Sequence, residues 1–346
     1  RMAVSILQDL KKAYGLSYRV LVDSEPNDKE KGTLISYTGS VGKLLPVVVV
    51  QGKSVHIGNY GQGINSLGVI AHLIADTEGD MSMIDTCGSE MTPPPAWIYL
   101  RDRKEHYDVS LPQRAAACAN FMMYDKTPDD VMYLLMKAAR HAVDETLKKM
   151  HSPLAMPVIS GAELLKQAMS YPGFDVFYEN VKNNSFIALQ KGESTYAQET
   201  IHLIEKILHF IGMTEPVVVI AFAPPYYPAA DSRSLNDTRF DGLMQAVQTA
   251  ADVQFRHYFN GISDCSYCCV SPDLNEKMLE SNLLLWGKSY QFDFPAMAHL
   301  QIPFLLLGPW GKDLHERTER VHIASVSEKL PAVLDKIIAY IGDTAI

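Results

Sequence analysis

The chain has 346 residues, 47% hydrophobic and 21% charged, which is enough for two domains with separate cores. Its net charge of −9 argues against nucleic acid as a main partner, because phosphate binding needs clustered Lys and Arg. No apolar run reaches the roughly 18–20 residues that span a bilayer, so no membrane partner is expected, and five scattered cysteines suit a reducing cytoplasm better than a disulfide framework.

Residues 2–14 repeat apolar positions at helical spacing and open with neither leader nor cap, as the interior of a longer protein would. The β-rich run 18–22 follows and ends in the acidic turn 23–28. Residues 34–37 and 44–50 read as strands, with Gly39 and Gly42 marking a bend between them. A helix at 64–75, strands at 96–101 and 115–124, and a helix at 128–149 complete a strand–helix–strand–strand–helix unit. The Thr127-Pro128 start is a good N-cap with Pro at the first helical position. That order describes a small two-layer α/β sandwich, expected as an inserted domain over 44–150. In 151–195 only 162–169 reads as helix, and the rest reads as irregular. A helix at 198–211 then leads to the β-branched run 216–222, which is expected as a buried strand of a parallel sheet. Helix 240–251, strand 254–259, helix 274–283, strand 302–307 and helix 330–341 finish an alternating α/β pattern.

Three loops stand at strand ends: Asp23-Ser24-Glu25, Gly261-Ile262-Ser263-Asp264, and the stretch after 307 that delivers His315. Open α/β sheets place ligands at the carboxyl ends of strands, so these loops are the natural site. Carboxylate plus imidazole is a ligand set for zinc or a similar divalent ion, although the spacing by itself forms no motif. A solvated loop histidine is the alternative for His315. His56, in Gly52-Lys53-Ser54-Val55-His56-Ile57-Gly58, is more simply a surface turn histidine; its functional reading is a donor aimed at a substrate oxyanion. Cys265, Cys268 and Cys269 read as small buried thiols, since a structural zinc site needs a second pair elsewhere. Asp264 beside them could orient a ligand or a substrate. His72, His141, His202 and His209 read as ordinary face residues, and 101–106 as a solvated charge run.

Taken in order, Asp23-Ser24-Glu25-Pro26, the stretch 37–46, the His56 segment, Ala223-Pro224-Pro225-Tyr226-Tyr227-Pro228, the stretch 261–267 and the stretch 308–321 resemble a known family. It is the dinuclear-zinc metallopeptidases and amidohydrolases of the aminoacylase, glutamate carboxypeptidase and ArgE/DapE type (peptidase M20), and within it the arginine-utilisation, RocB-type branch. The resemblance implies an α/β fold: a phosphorylase/hydrolase-like catalytic domain with a mixed sheet flanked by helices, interrupted by a two-layer lid domain that dimerises. Residues 1–43 and 151–346 would then be catalytic and 44–150 the lid. It further implies metal ligands at Glu25 and His315, an oxyanion role in trans for His56 across a homodimer, and a substrate-side place for Asp264. The expected chemistry is hydrolysis of amide bonds in small peptides or N-acyl amino acids by zinc, with cobalt or manganese as alternatives.

The chain departs from the family pattern in two respects. The one His-x-Asp spacing in it, His106-Tyr107-Asp108, falls inside the expected lid rather than at the family's metal-ligand position, and the family's Glu-Glu pair has no counterpart. Both family elements would lie before residue 1, so the chain is expected to bind zinc weakly and to be catalytically incomplete, either as a fragment or as a truncated relative with a binding role. The family's lid arginine also has no match; the aligned stretch reads Asn120-Phe121-Met122-Met123.

Overall fold

A computed structural model describes residues 2–27, 33–250, 253–271 and 274–343. Asp28 of the acidic turn and residue 251, expected at a helix end, lie outside the described residues. The chain builds two mixed sheets, each flanked by helices.

After α1 (Met2–Tyr14) come β1 (Leu21–Asp23), β2 (Leu34–Ser40) and β3 (Gly42–Gln51). Then follow α2 (Ser66–Thr77), the short strands β4 (Thr86–Cys87) and β5 (Glu90–Met91), β6 (Ala96–Asp102), β7 (Arg114–Met123) and α3 (Pro128–Met150). The middle of the chain holds β8 (Val158–Ser160), α4 (Gly161–Ala168), α5 (Phe174–Gln190), α6 (Tyr196–Phe210), β9 (Val217–Tyr227) and β10 (Ala230–Asp231). The chain closes with α7 (Thr238–Ala250), β11 (Val253–Phe259), α8 (Glu276–Asn282), α9 (Phe294–Leu300), β12 (Phe304–Leu307), β13 (Gly311–Lys312), β14 (Arg320–Val321) and α10 (Leu330–Asp343).

One sheet runs β6-β7-β3-β9-β8. Its central strand β3 is antiparallel to both neighbours, with Val48 opposite Ala117 on β7 and Ile220 on β9. Side chains alternate across a strand, so the run Val47–Val50 serves both faces. Val48 and Val50 pack with Val69, Ile70, Val131 and Leu135 of α2 and α3. Val47 and Val49 pack with Leu164, Ile201 and Ile204 of α4 and α6. Burial on both sides explains why these strands show continuous apolar runs rather than alternation. Capping boxes at Thr127, Ser160 and Thr195 fix the starts of α3, α4 and α6.

The other sheet sets β1 beside β12, then β2, with β10 and β11 also paired to β2. Leu34, Leu305 and Leu307 pack on Val247 of α7 and on Val333 and Ile337 of α10. Ile35, Tyr37, Phe304 and Leu306 face Cys265 and Cys269 on the opposite side. The chain crosses between the sheets twice, at Val41 and at residues 228–229. The crossings lie side by side: a Cβ on Gly42 would meet the Ala229 nitrogen at 2.7 Å.

Two expectations need correction. The strand at 217–227 is parallel only to β8 and antiparallel to β3, because an apolar run reports burial but not direction. Residues 174–190, expected as irregular, form α5; it starts at Gly173 without a side-chain cap and buries only Phe174, Val181 and Ser185, so its helical signal is weak. β3, β6 and β7 share one sheet with β8 and β9, so this sheet extends past residue 150, whereas β4 and β5 pair with each other. Among the described residues no helix is long and apolar enough to cross a membrane.

Candidate functional site

The site is built where β1 and β12 end. The two strands are adjacent and parallel, with Leu21, Val22 and Asp23 opposite Phe304, Leu305 and Leu306. Beyond the strands the two loops stay zipped. The Asn27 N–H donates to the Pro309 carbonyl at 3.0 Å, and the Gly311 N–H donates to the Asn27 carbonyl at 2.7 Å. On the strand side of these bonds the chains nearly touch: a Cβ on Gly308 would stand 2.0 Å from the Glu25 carbonyl oxygen. Glycine is required there by close backbone approach, which is one of its uses. This packing brings the Glu25 loop and the His315 loop, 290 positions apart, to one place.

From Gly311 the chain enters a small hairpin, β13 pairing with β14. Its tip holds His315, with Asp313 and His315 both in the left-handed backbone region at φ +56° and +64°. The tip is fixed from within. The Thr318 hydroxyl and Arg320 guanidinium both donate to the Asp313 carboxylate, holding it below the usual carboxylate range. The His315 N–H donates to Glu319 Oε2 at 3.2 Å.

Glu25 and His315 line one cleft of about 930 Å³, together with Asn27, Tyr37, Glu90, His257 and Glu319. The Glu25 carboxyl is raised above its ordinary value. Burial is the main cause and the Asp23 charge is next, while the His315 charge opposes the rise and Asp264 adds to it. Asp23 is itself braced, accepting from the Ser263 hydroxyl at 2.8 Å. The Asn27 side chain is 3% exposed, and neither its oxygen nor its nitrogen finds a partner among the described residues. A buried amide without partners is costly, and this one borders the cleft.

Asp264 is exposed and opens the 264–267 turn; it does not line the cleft, and only its charge reaches Glu25. His56 stands on the other sheet's side and also does not line the cleft. It caps the turn Ile57–Gln62, with Nδ1 accepting from the Gly58 N–H at 3.1 Å. That bond leaves the proton of the neutral ring on Nε2, so the exposed edge of the imidazole is a donor. Ile57, Tyr60, Tyr107 and Val109 are large exposed apolar side chains close to it in sequence or in pairing.

Several residues around the cleft carry little sequence signal. Glu90, at the tip of the β4–β5 hairpin, reaches across to β11, and its carboxylate accepts the His257 N–H at 2.9 Å and the Tyr258 N–H at 2.7 Å. The Asn260 side chain donates to the Met91 carbonyl at 3.1 Å, and Tyr124 stacks on Tyr258 at 4.1 Å. The hairpin is anchored at its base by Asp85, which accepts the Tyr124, Asp125 and Lys126 N–H groups and pairs with the Lys126 ammonium. Glu90 thus clasps the β4–β5 hairpin to β11 at the cleft. The Gly88-Ser89 turn is the one cue to this finger.

As a metal centre the site is partial. A zinc site takes three or four protein ligands. Among the described residues no group of three or more His, Cys, Asp and Glu side chains could hold a metal ion. Glu25 and His315 are a carboxylate and an imidazole, residue types that suit zinc, but two donors do not by themselves make a zinc site. Cys265 and Cys269 are buried; a bond with Cys268 and then burial push the Cys265 thiol up, and burial, then the Cys268 charge, push the Cys269 thiol up.

A comparison with protein-family models found no match. Among curated proteins, the chain is 26% identical over 360 residues to Protein RocB of Bacillus subtilis, covering 96% of this chain and 63% of that protein. It is 24% identical over 353 residues to the uncharacterised protein YqjN of the same organism, covering 96% and 64%. The chain thus spans under two thirds of the length of both curated relatives. Among solved structures, aminopeptidase PepT of Bacillus cereus is similar with a TM-score of 0.47 and 11% identity, over 94% of this chain and 57% of that one. Matched over 96% of its length by RocB and YqjN, the chain is similar to RocB-type proteins.

Proposed function

We propose that this chain is part of a metal-dependent hydrolase of amide or peptide bonds in small amino-acid derivatives, with Glu25 and His315 as two of its metal donors. The observation that supports this reading most is their meeting in one cleft at the carboxyl ends of adjacent parallel strands, where α/β sheets place ligands. Zinc is the first choice of metal, with cobalt or manganese also suited to a carboxylate–imidazole pair. Further donors of the kind the family carries in its His-x-Asp and Glu-Glu elements would be needed to complete the centre.

In this proposal the sheet containing β1, β12 and β2 belongs to the catalytic unit, and the sheet containing β3, β7 and β9 to the lid. The lid is the dimerising part. Its edge strand β6 leaves Ile98 and Leu100 exposed, and the apolar surroundings of His56 fit contact with a second copy. His56 would then serve the partner's cleft as an Nε2–H donor, and Asp264 would act from the rim through its charge. A second reading, a non-catalytic relative that binds or dimerises, is favoured by the missing third donor among the described residues.

Zinc titration and hydrolysis of a dipeptide and N-acyl amino-acid panel test the two readings. The hydrolase reading predicts metal-stimulated turnover by the protein that carries this chain, lost in Glu25→Gln and His315→Ala. Turnover unaffected by both substitutions would contradict it. Two tightly bound zinc ions per chain would contradict the incompleteness of this part.

A further inference from the structure

Away from the Glu25 cleft, at the end of the sheet containing β3, β7 and β9, a second cleft of about 630 Å³ is lined by Arg103, Lys104, Arg114, His209, Ser54 and Thr214. Three cationic side chains meet there, and two of them have a carboxylate. Arg103 donates to both oxygens of Glu205 at 2.8 and 2.9 Å. Lys104 pairs with Asp108 at 2.5 Å. Among the described residues Arg114 is bonded to no carboxylate, although the Glu205 charge reaches it. Its Nε and Nη2 both donate to the neutral Gln51 Oε1, at 3.0 and 2.8 Å.

Gln51 makes this arrangement rigid. Its residue is 0% exposed at the end of β3, and its Nε2 donates to the Met213 and Glu215 carbonyls at 2.8 and 3.0 Å. Both amide hydrogens are used, so Oε1 must face Arg114. One edge of the guanidinium is thereby clamped, and the Nη1/Nη2 edge is left for another acceptor. Burial lowers the Arg114 pKa, and the Glu205 charge only partly opposes it, as for a charge taken from water without full compensation. A fixed planar fork with a free edge is the geometry that binds an oxyanion through two parallel bonds.

We propose that this cleft binds a small oxyanion, a phosphate or a carboxylate, through the free edge of Arg114, with Lys104 and His209 at its rim. The site is independent of the Glu25 cleft and of the hydrolase reading. The probes are inorganic phosphate and citrate, added to the metal-free chain at constant ionic strength against chloride and followed by calorimetry and by the backbone NMR signals of residues around Gln51 and Arg114. Saturable binding of either probe supports the proposal, and the stronger one identifies the oxyanion type. Arg114→Gln should weaken it at least about tenfold, because an oxyanion site without its fork loses its charge-assisted pair. Thr214→Glu, an exposed loop change that leaves Arg114 and the core untouched, should weaken it comparably by placing a negative charge at the mouth. Absence of binding of both probes at millimolar concentration, or equal binding by wild type and Thr214→Glu, would overturn the proposal.

Discussion

The two sheets differ in what their strands do. In the sheet centred on β3, strands of ten and eleven residues pair over most of their length, and Val47 to Val50 are fully buried. In the sheet centred on β2, β1 has three residues and β12 has four. There β2 itself buries Ser36, Thr38 and Ser40 among its apolar residues. Long apolar ladders give stability, whereas short strands that stop side by side bring loops together. The titratable groups of the candidate site are on those loops, and the fold holds them there by backbone bonds rather than by a large core.

The contrast predicts where substitutions act. Phe222 is fully buried in the long-strand sheet. Phe222→Ala should cost about 3–5 kcal/mol in urea unfolding, the range for deleting a core aromatic. A cost below about 1 kcal/mol would mean that this sheet is not the rigid half. In the short-strand sheet the sensitive position is a glycine. Gly308→Ala drives a Cβ into the Glu25 carbonyl and should cost about 1–3 kcal/mol or more. It should also shift the backbone NMR signals of residues 24–27. An unshifted loop would show that the two loops are not zipped.

How much of this was legible depends on the length of each element. The strand before His315 and the acidic turn after β1 are visible because an apolar run meeting Gly-Pro or Pro reads as a strand ending in a turn. The meeting of Glu25 with His315 follows once β1 and β12 are neighbours, a long-range pairing that no local pattern shows. The Glu90 finger is not legible, since β4 and β5 have two residues each and no periodicity to detect. Arg103 reads in sequence as part of a solvated charge run, and its ion pair with Glu205 depends on α6 lying beside the end of β6. His209, which looked like an ordinary face residue, lines the second cleft for the same reason.

Smaller effects sharpen the comparison at the seam between the sheets. Glu90→Ala leaves two β11 amides without their acceptor and should cost about 1–3 kcal/mol. Amide exchange at His257 and Tyr258 should accelerate, and protection unchanged at both would remove the clasp from the account. Glu25→Gln tests the electrostatics of the loops. A carboxyl raised in the folded state keeps its proton longer than the unfolded chain does. Folding is then penalised as pH climbs from the unfolded value through the raised one. The Gln variant, free of that penalty, should be at least as stable as wild type at pH 7, and its advantage should vanish below about pH 4. An advantage independent of pH would contradict the burial of Glu25.

Glu25 and His315 line one cleft, where the proposed function has them share a cation. Zinc titration of this chain, with NMR detection at both residues, tests it most directly. The prediction is weak binding that perturbs both side chains and falls at least about tenfold in either Glu25→Gln or His315→Ala, the scale on which even outer-shell partners act. Zinc binding that is unchanged in both variants, or that perturbs one residue and not the other, would contradict it.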